Sequence, residues 1–88
     1  MSDDDIAQEI VRQLSRRAAD SSICPSEVAR ALQTDEAAWR ALMPHVREVA
    51  ARLRDQGLLR ITRGGVDIAT EELHHGVIRL ARVKPADQ

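Results

Sequence analysis

Apolar positions recur along this chain at two periods, and the switch between them falls near residue 57. Trp39, Leu42, Val46, Val49 and Leu53 follow one another at steps of three and four, which lays one continuous stripe along a helix. Gly57 stops that helix. Leu58-Leu59-Arg60-Ile61-Thr62-Arg63 then alternates as a strand does, with Leu59 and Ile61 turned inward and Arg60 and Thr62 outward. A buried helix therefore runs straight into extended chain.

Upstream, Asp3, Asp4 and Asp5 stand where acidic residues favour the start of a helix through the backbone dipole. Ile6, Ile10, Leu14 and Ala18, joined by Ala7 and Val11, repeat at helical spacing and predict a first helix over 3–19. Asp20, Ser21 and Ser22 end it, and Ile23-Cys24 forms a minimal strand. Pro25 fits the first position of a second helix reaching Leu32, where its missing N–H costs nothing, and Val28, Ala29 and Leu32 face its core. Gln33-Thr34-Asp35 is a turn in which Thr34 or Asp35 caps the third helical segment. Pro44 lies inside that segment and removes a backbone bond, which predicts a short helix over 36–42, a break or kink at Met43-Pro44, and a main helix over 44–56.

Two partners compete for the strand at 58–63. Gly64-Gly65 permits an immediate reversal into Val66-Asp67-Ile68, whereas 77–82 offers Ile78 and Leu80 in alternation with Arg79. The second pairing is favoured, leaving 64–75 as a loop. Lys84 to Gln88 is a polar tail, and with residues 1–2 it makes the flexible ends of one domain spanning 1–88. The sum is an α+β chain of three main helices followed by a two-stranded β ribbon.

At 88 residues there is room for one domain, whose core comes from Ile, Leu, Val and Ala because Trp39 is the only aromatic residue. Stacking of unpaired bases on aromatic platforms is thereby nearly excluded. One cysteine, Cys24, makes no internal disulfide and points to a reducing, cytoplasmic setting; no signal-peptide pattern or membrane-length apolar run is expected. The net charge of −1 hides an asymmetry. Residues 1–44 carry eight acidic and five basic side chains, residues 45–88 six acidic and eight basic. The basic half is the one that holds the long helix and the ribbon.

Three helices, a Pro-led second helix, a third ending in Gly and two strands around a Gly-bearing loop resemble the winged helix-turn-helix superfamily. More narrowly, I-C-P-S-E-V-A-R-A-L, W-R-A-L-M-P-H-V-R-E-V-A-A-R-L, T-R-G-G and G-V-I-R-L, in that order, resemble a small bacterial winged-helix family of unknown function. The superfamily resemblance implies a helix laid in the major groove of double-stranded DNA and a wing against its backbone or minor groove, a role that serves transcriptional regulation.

On the helical wheel Arg40, Arg47 and Arg54 line one flank of the apolar stripe, His45 and Arg52 the other, and Glu48 and Asp55 lie between. Arginines suit phosphates and guanine edges, and Glu48 suits a cytosine amino group. The plainer reading of Glu48 and Arg52 is a solvated i,i+4 ion pair. Arg60 and Arg63 stand where wing residues reach phosphates, with Arg79, Arg82 and Lys84 as an extension, although outward charges also guard exposed strands against edge pairing. The nucleic-acid-binding candidates are thus Arg40, His45, Arg47, Glu48, Arg52, Arg54, Arg60 and Arg63. The alternative is a protein-binding winged helix, favoured by the near-neutral charge. Cys24 is expected to be a packed thiol, Trp39 a core anchor, and His74-His75 loop histidines without the spacing of a metal site. No catalytic constellation, metal or cofactor is expected, and no dimer interface announces itself.

Overall fold

A computed structural model describes residues 2–18, 21–68 and 76–83. Helix α1 spans Asp3–Arg16, and Ser2, read above as part of a loose end, caps it. The Ser2 hydroxyl accepts the Asp5 N–H at 3.2 Å, and the Asp5 carboxylate accepts the Ser2 N–H at 3.3 Å, so two donors at the helix start are satisfied reciprocally. Ile6, Ile10 and Leu14 go into the core, but Val11 stays 54% exposed at the edge of the stripe. The helix stops short of the expected residue 19, which with 20 lies outside the described residues. Its end is held by a distant cation: Arg82 donates from Nε to the Leu14 carbonyl at 2.8 Å and from Nη2 to the Arg17 carbonyl at 2.6 Å.

Strand β1, Ser22–Ile23, sits one residue earlier than expected. Helix α2, Pro25–Leu32, has Pro25 in its first turn, and the Glu27 carboxylate accepts the Cys24 N–H at 2.7 Å. That bond, followed by the Arg17 guanidinium 2.6 Å away, holds the Glu27 carboxyl below its ordinary range.

Helix α3 is a single helix, Glu36–Asp55, with Pro44 inside it, where the sequence predicted two pieces. Pro44 and the residue four positions before it, Arg40, are both exposed, so the backbone bond that proline cannot make is lost in a stretch of helix open to solvent. Val46, Val49, Ala50 and Leu53 bury one side of the helix, with Trp39, Leu42 and Met43 partly buried against the same core. Packing of a stripe that crosses the proline holds both halves in one axis. Asp35, rather than Thr34, is the cap, accepting the Ala38 N–H at 3.0 Å. At the far end Gly57 takes φ +78°, which lets Leu58 N–H reach the Leu53 carbonyl and Gly57 N–H the Arg54 carbonyl, each at 2.9 Å.

Strands β2 (Arg60–Arg63), β3 (Val66–Asp67) and β4 (Arg79–Ala81) complete an antiparallel sheet with β1 in the order β1-β4-β2-β3. Both anticipated pairings form. The start of β2 pairs with β4, its end with β3, and Thr62 lies opposite Arg79 on one side and Asp67 on the other. Gly64 and Gly65, at φ +59° and +83°, make the reversal between β2 and β3. The expected loop over 64–75 is therefore a short hairpin at its start, and 69–75 lie outside the described residues. Thr62, expected outward, is buried at 6% exposure because a ladder neighbour flanks it on each side and the Arg60–Asp67 ion pair runs alongside. On the inner face Ile23, Leu80 and Ile61 form one row across three strands, all fully buried, with Leu59 and Ile78 beside them.

Candidate nucleic-acid interface

The two flanks of α3 have different surroundings. Along the first, Arg54 is the residue that joins helix to hairpin: its side chain is only 18% exposed, Nη1 donates to the Ile68 carbonyl at 3.3 Å, and Asp55 lies 3.4 Å from Nη2. Ile68 follows β3 directly and donates its own N–H to the Ile61 carbonyl, so Arg54 ties the last turn of α3 to the β2–β3 hairpin. Arg47, two turns back along the same line, is half-buried. Arg40, two turns further, is exposed, pairs with Glu36 at 2.8 Å, and lies over the Trp39 ring at 5.1 Å from its centroid. Arg30 of α2 lies over that ring as well, at 4.5 Å. Trp39 is thus half-buried against the core, as expected of an anchor, and draws two guanidinium groups to itself.

On the second flank His45 and Arg52 both bind the Asp3 carboxylate at the start of α1. The hydrogen bond from His45, then that from Arg52, holds the Asp3 carboxyl below its ordinary range. This flank is therefore a clasp between α3 and α1, although Arg52 remains 63% exposed. Arg52 reaches Asp3 where an ion pair with Glu48 was expected; Glu48 is exposed on the far side of the helix with Asp55.

On the ribbon, alternation separates two residues that the sequence grouped together. Arg60 shares the outer face of the sheet with Thr62 and pairs with Asp67 of β3 at 3.0 Å, while Arg63 has the parity of the other face and donates from Nε to the Val77 carbonyl at 3.3 Å. Arg63 lies so close to Gly76 that a Cβ there would stand 3.6 Å from its guanidinium. Arg79 and Arg82, read as an extension of a basic patch, are staples within the fold. Arg79 donates to the Ser22 hydroxyl at 2.9 Å and the Ser22 carbonyl at 2.8 Å, joining β4 to β1, and Arg82 holds the end of α1. Lys84 lies outside the described residues, as do His74 and His75.

Of the eight candidates, then, Arg40, Arg47 and Arg54 form a line that ends at the hairpin, with Arg60 across β3 from it. His45 and Arg52 are turned to α1, Glu48 to solvent, and Arg63 to the segment before β4. Sequence reasoning missed Asp3 as more than a helix-start residue and Arg79 and Arg82 as structural ties. Their partners lie 42 to 68 positions away, and no local period marks such contacts.

A family model described as "Protein of unknown function (DUF3253)" matches residues 3–83, a span that takes in the three helices and four strands of the described residues. The chain belongs to the DUF3253 family. No curated protein matches it. Among the described residues no three His, Cys, Asp or Glu side chains are grouped to hold a metal ion, and no helix is long and apolar enough to cross a membrane. Cys24 in this DUF3253 chain is half-buried and accepts the Ser26 hydroxyl at 3.1 Å, in keeping with a packed thiol.

Proposed function

We propose that this chain is a winged-helix protein that binds double-stranded DNA through the 44–56 part of α3 and the β ribbon, in the service of transcriptional regulation. The element order supports the winged-helix reading: β1, between α1 and α2, joins a sheet with the strands that follow α3, so the α2–α3 pair is left as a helix-turn-helix beside a ribbon. The observation that carries the DNA reading is the Arg54 bond to the Ile68 carbonyl. It joins the last member of the Arg40, Arg47 and Arg54 line to the hairpin, a placement that lets one duplex meet helix and ribbon. Phosphate contacts from Arg47, Arg54 and Arg60 supply the affinity, and Arg47 or Glu48 any preference among bases. Because Glu36, Asp55 and Asp67 already sit on Arg40, Arg54 and Arg60, phosphates displace carboxylates rather than meeting bare charges, and the binding is weak.

A salt titration of a labelled mixed-sequence duplex tests this. Affinity falls steeply between roughly 50 and 200 mM salt, and Arg47→Ala or Arg60→Ala lowers the slope of log K against log salt by about one unit each. Absence of binding to any duplex at low salt removes the proposal. It would favour a protein-docking winged helix, a reading that the exposed ribbon residues Val66 and Val77, at 68% and 71%, also support.

A further inference from the structure

We infer that a second copy of this chain packs on the outer face of α1, the two α1 helices running antiparallel about a two-fold axis at Val11. Val11 and Leu58 are 54% and 59% exposed, and they stand beside one another on the surface. Val11 is the ridge between two shallow grooves. One is lined by Ala7, Gln8, Val11 and Arg12, the other by Val11, Leu14, Ser15, Leu58 and Arg82. A two-fold contact requires a surface that complements itself, and a ridge with a groove on each side does so: Val11 of each copy seats beside Val11 of the other, in the groove its neighbour presents.

The charges select the occupant and its direction. Asp4 stands at the N-terminal end of this face, and Arg82 at its C-terminal end. Arg82 donates to the Leu14 and Arg17 carbonyls, which are neutral acceptors and leave its positive charge in place. An antiparallel pair brings Asp4 of each copy toward Arg82 of the other, twice by symmetry, and opposes the helix dipoles; a parallel pair sets Asp4 beside Asp4. Both halves of the complementarity are thus present on one face of the chain, Asp4 from α1 and Arg82 from the segment after β4, which is what a second copy needs. A 14-residue helix is only about 21 Å long, so the seam lies at the small end of stable interfaces, with a dissociation constant on the order of micromolar.

Sedimentation equilibrium of the full chain tests this without reference to DNA. The mass rises with concentration from 9.8 kDa toward twice that value. Val11→Asp weakens association by about tenfold or more while the melting temperature holds, because the side chain is already half in water. A single-chain mass up to about millimolar concentration, or a dimer indifferent to Val11→Asp, overturns the inference. As a second measurement, Val11→Cys with Cys24→Ser oxidises to a disulfide-linked dimer, since side chains on the axis come within the roughly 4 Å between Cβ atoms that such a bond needs. Failure of that crosslink overturns it as well, whatever the folding of Val11→Asp.

Discussion

Replacing Pro44 by alanine should stabilise this protein, and the size of the gain follows from where the proline sits. Residue 44 is within an otherwise continuous helix, yet its side chain is exposed, so truncation removes nothing from the core. Alanine restores an N–H that can donate to the Arg40 carbonyl and removes the crowding of the ring against the preceding turn. In an isolated helix interior that exchange favours alanine by about 3 kcal/mol. Two effects reduce it. Residues 40 and 44 are both exposed, so water can reach the helix where the bond is missing, and losing a proline loosens the unfolded chain by roughly 0.4 to 1 kcal/mol. A net gain of about 1 to 2 kcal/mol remains, which for a domain of this size raises the melting temperature by roughly 4 to 16 °C. Thermal melts followed by circular dichroism, with urea titrations to show that the m-value is unchanged, measure it. An unchanged or lower melting temperature refutes the reasoning: it would mean that the seating of Leu42 and Val46 on one core depends on the geometry that the proline imposes.

Two further outcomes follow from the core and from the Asp3 clasp. Leu80→Ala, at the centre of the buried Ile23–Leu80–Ile61 row, should cost about 2 to 5 kcal/mol in chemical denaturation, a large part of the roughly 4 to 13 kcal/mol expected of an 88-residue domain; a loss under about 1 kcal/mol would contradict the placement of β4 between β1 and β2. Asp3 has a folded pKa below its unfolded one, so the stability it confers is fully present above the ordinary carboxylate range and is lost as pH falls through the lowered value; Asp3→Asn should therefore be less stable than the parent at neutral pH and converge with it in strong acid, and parallel curves at all pH values would rule out the clasp.

The helices were legible in the sequence because their signals are local and agree with one another. Asp3 to Asp5, Pro25, Asp35 and Gly57 mark ends, and steps of three and four mark the buried faces between them. Where two local signals conflicted at Pro44, the stripe through Leu42, Val46 and Val49 outweighed the proline, since burial along a whole helix exceeds the cost of one lost bond. The sheet was half legible. Alternation in 58–63 and in 77–82 found the central pair, but β2 accepts a second partner along its other edge, and which edge is open depends on topology rather than on the residues of β2. Thr62 shows the same limit: its neighbours on either side, Asp67 and Arg79, decide its burial.

For the candidate interface, the heptad spacing of Arg40, Arg47 and Arg54 was visible, whereas the different fates of the two flanks of α3 were not. Both flanks carry cations adjacent to one apolar stripe, and only the packing of α1 distinguishes them, by bringing Asp3 to His45 and Arg52. That asymmetry gives the two sides different consequences on mutation. His45 and Arg52 satisfy a carboxylate of another helix, so their loss leaves Asp3 without its partners and registers first as a fall in stability that disappears in acid. Arg47 and Arg54 lie on the other flank, where Arg54 joins the hairpin through the Ile68 carbonyl and has Asp55 3.4 Å from Nη2, so in the proposed DNA contact a phosphate displaces that carboxylate. A survey that scored only DNA affinity would rank all four arginine and histidine positions together. Under the proposed DNA reading, scoring stability against pH beside affinity against salt separates the two flanks, because the first responds to protonation of Asp3 and the second to counterion release.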